Sequence, residues 1–425
     1  MPSEAPPNYE PVKGLPPVAP PSGKFLIQLF LVPGLIVAVA LAVVWGFGWL
    51  VGGSYSAEEF MKDLRNPNAE YRWRRANDLA QVLPRDKTLA SNPKFALDLA
   101  ELLRNSLRDN AQNERAGAER SKSLAKSASD KPDKALDEER NFIQYLIPCL
   151  GYLALPTGVP ILEELILAKE GADPETIQLR RRLAVLALAN LAESLKYLDT
   201  ISSQQRQEIV DTLEAEASKG SSERRLWSEL AAEYIQARHE GDVRALGVDQ
   251  TLAECVKPSN PASQDPITRE RAAFALNLWQ GNQEENRRME EALLQLTYDD
   301  GRGATASEAP MRGLEIRYKA AEGLARRGSD LVVKRFGILE EMLDEDRQKE
   351  IFRIQTKSGQ ETADEALVSS TVRGALRGIT ELHRKKPDLD LSSFVPAIDK
   401  LLHSSNPELR AEAERTRALI APNRK

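Results

Sequence analysis

The sequence predicts an all-α chain: an α-solenoid of about eight helix pairs, preceded by one transmembrane helix. Three observations carry this expectation. The charged fraction is 29% and the aromatic fraction only 6%, with Leu, Ala, Glu and Arg dominant, a mixture that favours helices over strands. An uncharged stretch runs from Phe25 to Ala57. One segment, Asp265–Trp279, recurs in diluted form along most of the remaining chain.

At 425 residues, length alone allows about two or three domains. The four charges before residue 53 (Glu4, Glu10, Lys13, Lys24) cancel, so the whole net charge of −6 lies in residues 53–425. A mildly acidic body argues against nucleic acid as a partner, because that needs clustered positive charge. Cys149 and Cys255 are too few for a disulfide framework and read as small core residues.

Residues 1–24 hold eight prolines. Fixed φ angles and missing donors exclude helix and central strand, so the segment reads as an extended, disordered tail. Residues 25–52 read as the transmembrane helix. Its apolar core, Leu29 to Val51, is 23 residues, about 35 Å of helix, which spans a hydrocarbon layer of about 30 Å with some tilt. Trp45 and Trp49 lie near its end, where aromatic side chains favour the interface. A secretory signal peptide has a shorter apolar region and a small-x-small cleavage site. Val51-Gly52-Gly53-Ser54 is a poor match, so an uncleaved anchor is expected, with membrane lipid as its partner. Gly34, Ala38, Ala42 and Gly46 fall at four-residue steps and offer a seam for a homo-oligomer. Lys24 abuts the span on one side, and the first basic residue on the other is Lys62, after Glu58 and Glu59. Positive-inside logic then keeps the tail in the cytoplasm and the large body on the outer side.

The body, residues 53–425, reads as helix after helix. Ser56-Ala57-Glu58-Glu59 is a helix start, and Asn66-Pro67 opens the next. Residues 110–137 are polar and almost without large apolar side chains, so they read as an insertion or an exposed helical extension. Tyr298 to Pro310 reads as a loop, and residues 344–362 as a longer polar connection.

The repeat is found by placing an arginine at i, a small residue at i+4 and an apolar or small one at i+7, which share one helical face. Arg72, Arg180, Arg224, Arg269 and Arg317 fit. Arg140 half-fits; Arg373 and Arg410 fail in this register. The spacings between these eight arginines are 68, 40, 44, 45, 48, 56 and 37. The shorter ones match a two-helix unit of about 40–47 residues.

These segments resemble HEAT repeats. The match is best at Asp265, Pro266, Arg269, Ala272, Ala273 and Leu276. Asp173-Pro174, Asn66-Pro67 and Asn406-Pro407 match the opening only. The resemblance covers roughly residues 55–420. It implies paired helices stacked into a solenoid, and an aspartate–arginine ladder between neighbouring repeats. Arg317 and Arg373 lack the Asp-Pro opening. The charged last unit, Asn406 to Ile420, suits a terminal cap.

No catalytic, cofactor-binding or metal-binding constellation is found. His239, His383 and His403 each sit near a predicted helix end. No Cys-x-x-Cys, His-Glu-x-x-His or nucleotide-binding glycine loop is present. HEAT-like metal hydroxylases use several His-Glu pairs, whereas this chain has only His239-Glu240, and nothing specifies the tetrapyrrole pocket of a bilin lyase. The arginine runs Arg180-Arg181-Arg182, Arg224-Arg225, Arg287-Arg288 and Arg326-Arg327 could line one face and attract an acidic partner or anionic headgroups. The sequence therefore points to a membrane-anchored scaffold that binds a protein partner. A membrane-bound HEAT-like enzyme and a self-assembling structural protein are the alternatives.

Overall fold

The computed structural model describes residues 37, 39, 56–123, 134–169, 173–334, 337–356 and 359–420. The chain divides into a unit Met1–Tyr55 and a unit Ser56–Lys425. In the first, Val37 and Val39 are helical and exposed. Gly34, Ala38, Ala42 and Gly46, and nearly all of the apolar segment 25–52, lie outside the described residues. Among the described residues no helix is long and apolar enough to cross a membrane.

The second unit is built almost wholly of helices: α1 (Ala57–Leu64), α2 (Ala69–Val82), α3 (Lys87–Ala90), α4 (Pro93–Ser123), α5 (Lys134–Tyr152), α6 (Val159–Leu167), α7 (Pro174–Ser194), α8 (Ser203–Ala217), α9 (Ser222–His239), α10 (Val248–Glu254), α11 (Pro266–Leu278), α12 (Gln283–Leu296), α13 (Ala309–Arg327), α14 (Leu331–Lys334), α15 (Ile338–Leu343), α16 (Glu345–Ile351), α17 (Glu365–Lys385), α18 (Val395–Leu401) and α19 (Pro407–Ile420). Local chemistry explains where many begin. Ser56 caps α1 in a reciprocal capping box with Glu59. Asp173 and Asp265 cap α7 and α11, each with proline at the first helical position, where its missing N–H costs nothing. Asn66-Pro67 is not the opening of α2: the cap is Asn68, which accepts from the Tyr71 N–H, and Asn66 stands two residues outside and accepts the Asn68 N–H.

The organising feature is a single-file row, α2–α5–α7–α11–α13–α17–α19, in which each helix packs on the next. A second layer backs it: α1 lies on α2, α4 on α5, α6 on α7, α12 on α13, α15 and α16 on α17, and α18 on α19. Between the layers runs a continuous apolar core that includes Leu79, Leu146, Leu188, Leu276, Leu324, Leu376 and Ala413. Small residues set the closest approaches. Ala184 and Ala187 on α7 and Ala272 and Ala273 on α11 are fully buried. Their short side chains let neighbouring backbones come near, and Trp227, Phe142 and Phe394 fill the wider gaps.

Two sequence expectations are revised and one is narrowed. The Arg224 unit leaves the row: α8 and α9 pack on each other and lean on α4 and the turn Pro156–Gly158, so α7 meets α11 directly across the excursion. Residues 110–123 continue α4, a 31-residue helix, the helical extension that the sequence offered as one of two forms. The connection at 344–362 contains α16 and a two-stranded antiparallel hairpin, β1 (Arg353–Gln355) and β2 (Glu361–Ala363), with Ile354 opposite Thr362.

Candidate functional site

The helices of the row run the same way, so their N-terminal ends meet on one flank and their C-terminal ends on the other. On α13 and α17 this is visible residue by residue: Gly374 lies against Glu322, Gly378 against Ala325, and Lys385 against Gly328. Aligned helices bring like dipole ends together. Acids at the N-terminal flank and bases at the C-terminal flank relieve that repulsion.

The N-terminal flank carries a ladder of carboxylates and arginines. Arg140 on α5 reaches the α7 cap Asp173 at 3.5 Å. Arg182 on α7 grips the α11 cap Asp265 with two parallel bonds of 2.7 Å. Arg373 on α17 meets Glu408 in the first turn of α19 at 2.7 Å. Burial opposes the Asp265 charge, but the Arg182 fork and the Thr268 bonds outweigh it and hold its carboxyl below the usual range. Arg269 turns elsewhere. Its guanidinium is fully buried and bonds Asp299 at 2.6 and 2.9 Å, and it also donates to the Ser263 and Arg302 carbonyls. The loop carrying Asp299 bends through Gly301 and Gly303, both at positive φ. A Cβ at Gly303 would lie 1.8 Å from the Gln264 carbonyl oxygen, so only glycine closes this loop over the arginine.

The other arginines of the repeat pattern have varied roles. Arg72 pairs with Glu139 on α5 and lies over the Phe142 ring. Arg180 donates to Asn110 on α4. Arg224 ties α9 to Asp98 on α4 and Glu216 on α8. The Arg317 Nε is buried without a hydrogen-bond partner. Pro266 and Ala273 are buried in the row.

Groups with chemical potential elsewhere are accounted for structurally. Cys149 and Cys255 are fully buried, and burial pushes both thiols up, Cys255 to about 12. His239 contacts Arg206 at the end of α9. Among the described residues no group of three His, Cys, Asp or Glu is placed to hold a metal ion. A small acidic recess lies beside Glu270, Glu315 and Glu322. Burial, and then the Glu315 charge, push the Glu270 carboxyl up; Arg312, Lys319 and Arg271 oppose this. A folded-state pKa above the unfolded value of about 4.3 gives stability that is present below that value and lost as pH rises through the folded pKa. Glu270→Gln is therefore expected to raise the melting temperature at about pH 8 and to leave it near wild type at about pH 4. An equal difference at both pH values would show that the charge is not responsible.

The arginine runs do not share a face. Arg181 turns inward to cap α6, donating to the Ile166 and Ala168 carbonyls. Arg287 pairs with Glu284 and Glu291 on its own helix. Arg288 lines a cavity of 320 Å³ beside α10, and Arg326-Arg327 opens on one of 650 Å³ at the C-terminal flank. Arg327 serves the fold there. It donates to the Leu276 and Trp279 carbonyls at the end of α11, forms no ion pair among the described residues, and is pushed down by burial to about 10, with the Glu290 charge opposing. The cavity, of 650 Å³, is lined by six cations: Lys196, Arg326, Arg327, Arg377, Arg384 and Lys385. Among the described residues its lining has two carboxylates, Glu290 and Glu381. It adjoins a second cavity of 170 Å³, with which it shares Lys196, Leu278, Trp279 and Gln280. Trp279 is buried between them and donates its indole N–H to the Leu188 carbonyl on α7 at 2.8 Å. The result is a basic groove across the ends of α7, α11, α13 and α17. Of its cations only Arg326-Arg327 stands out in the sequence, as an arginine run; Arg377, Arg384 and Lys385 come together from α17, and Lys196 from a distant stretch of chain.

No protein-family model matches the chain, and no curated protein matches it. Among solved structures, an engineered protein is 17% identical, over 86% of this chain and 88% of its own, with a TM-score of 0.29. Human deoxyhypusine hydroxylase in complex with glycerol is 13% identical, over 88% of this chain and 99% of its own, with a TM-score of 0.22. Likenesses this distant carry no argument about activity.

Proposed function

We propose that this chain is a single-pass, membrane-anchored scaffold whose body is a HEAT-like α-solenoid and whose task is to hold a protein partner near the membrane. The observation that carries this reading is the single-file row. Each helix of such a row is buried by its immediate neighbours, so the helix ends form two long flanks available for contact. One flank carries the basic groove. The apolar run Leu29–Val51 supports the anchor, and the Lys24 and Glu58-Glu59 asymmetry supports an outer location for the body.

The test begins with membranes carrying the full chain with an affinity tag. The protein is expected to resist alkaline extraction, to dissolve in mild detergent and to bring down a defined partner in constant proportion. Removing residues 25–52 is expected to move the body into the soluble fraction. Recovery of the protein alone from detergent would sink the partner, and a membrane-bound deletion would sink the anchor. A reporter fused after Lys425 that is active only in the cytoplasm would reverse the orientation.

A further inference from the structure

We infer that the basic groove at the C-terminal flank is the docking site for an acidic peptide segment of a protein partner. This rests on the scaffold reading above and gives that partner its chemistry.

Four helix ends, α7, α11, α13 and α17, converge on the groove, and each contributes about half a negative charge. That offsets roughly two of the cations. The lining holds six cations against two carboxylates, so a positive excess remains on a protein whose net charge is −6. Arg327 is committed to the α11 carbonyls. Among the described residues Arg326 and Arg384 form ion pairs on their own helices, with Glu322 and Glu381. The Arg384–Glu381 pair is exposed, contributes little and exchanges readily for an incoming carboxylate, whereas Glu322 is buried and holds Arg326 more firmly. Lys385 forms no ion pair among the described residues, and burial together with the Arg327 charge holds its ammonium below the usual lysine range. A bound anion relieves that pressure.

Shape selects a peptide over a compact oxyanion. The 650 Å³ cavity continues into the 170 Å³ one, so the groove is elongated. Lys196 lies where the two meet, and Arg377 and Arg384 come from α17. Between the charges lie Gln280 and the partly buried Leu278. Buried Asn277 also lines the groove, and its side-chain carbonyl oxygen has no partner. Guanidinium forks suit side-chain carboxylates, amide side chains suit a peptide backbone, and Leu278 suits an aliphatic stem. A single phosphate would engage one end and leave the remainder unused.

The probe is a fluorescein-labelled oligoglutamate peptide, titrated by anisotropy against the full chain in mild detergent at low and physiological salt. Two variants reverse or remove groove charge without touching Arg327: Arg326→Glu with Lys385→Glu, and Arg377→Gln with Arg384→Gln. The second changes only exposed side chains, so it keeps the test valid if the first fails to fold by circular dichroism. Wild type is expected to bind, more tightly at low salt. The charge reversal is expected to cost at least about tenfold and the neutral pair several-fold. Arg225→Glu with Arg287→Glu, exposed cations outside the groove, is expected to match wild type. Equal binding by every variant overturns the assignment. So does binding of sodium tripolyphosphate at the groove with none of the peptide. If the charge-reversed protein still captures the native partner as wild type does, the groove assignment falls and the scaffold reading stands. If wild type binds the peptide through these residues yet captures no partner from membranes, the scaffold reading falls and the peptide site stands.

Discussion

Asp299→Ala is expected to cost about 3–5 kcal/mol of stability, because it strands a charge in the interior. Arg269 has no exposed surface, and Asp299 is only 6% exposed. The carboxylate receives two guanidinium bonds and also the Gly301 N–H at 2.8 Å. Truncation removes all three at once. The guanidinium keeps its bonds to the Ser263 and Arg302 carbonyls, but neutral dipoles do not replace a counter-charge in a dry site. The loss should be local at first. In a row where each helix touches only its neighbours, stability is a sum of nearest-neighbour contributions. Weakening α11 against the 299–304 loop therefore lowers hydrogen-exchange protection of α11 and α13 before that of α2 or α5. Guanidinium denaturation should then become biphasic, with an early C-terminal transition. The double variant Arg269→Met with Asp299→Leu is expected to recover part of the loss, since no charge is left unpaired. It should not recover all of it. The Ser263 and Arg302 carbonyls and the Gly301 N–H lose partners, at about 1–3 kcal/mol for each group left unsatisfied. A single-variant loss below about 1 kcal/mol would mean that the pair behaves like a solvent-exposed one.

Arg269 also marks the boundary between what the sequence displays and what it conceals. Its importance is legible from the Asp-Pro cap, the following Ala272-Ala273 and the apolar face, all local signals. Its partner is not. The resemblance implied aspartate–arginine bonds between repeats. Asp265 does bond an arginine on the neighbouring helix of the row, but it is Arg182, which lies 83 residues earlier. That distance follows from the α8–α9 excursion, which no period count reveals, because α8 and α9 are themselves an amphipathic pair at the expected spacing. Helix starts at Ser56, Asp173, Asp265 and Asn406 are readable because a cap is a contact over three or four residues. Apart from Arg326-Arg327, the groove is hidden for the opposite reason. Lys196, Arg327 and Lys385 come from three stretches of chain, and only the parallel alignment of α7, α11, α13 and α17 brings their ends together. The hairpin at 353–363 is short and mostly exposed, so it lacks the apolar alternation that identifies a strand.

Gly151→Ala is the other substitution with a large expected effect, and it probes the row directly. Gly151 sits in the last turn of α5, where a Cβ would lie 2.5 Å from the Ala187 carbonyl oxygen and 2.7 Å from its Cα on α7. Backbone atoms of a central helix cannot swing aside as a side-chain tip can. α5 must therefore lift away from α7 or its last turn must unwind. Overpacking of this kind costs about 1–3 kcal/mol. Two features of this contact push toward the upper end. Ser194 donates to the Gly151 carbonyl at 3.2 Å, a bond broken by any lateral shift. Pro148 already removes one helical hydrogen bond three residues earlier, so unwinding meets little resistance and tends to spread. The neighbouring Gly158 sits against the Leu150 side chain instead, with its nearest atom 2.8 Å from a Cβ position. A leucine rotamer can yield, so Gly158→Ala is expected to be the milder change. Melting temperatures of the two variants decide the matter. If Gly158→Ala proves the more damaging, the close α5–α7 crossing does not hold the row in register, and the stacking order proposed for the body would need to be rebuilt from that contact outward.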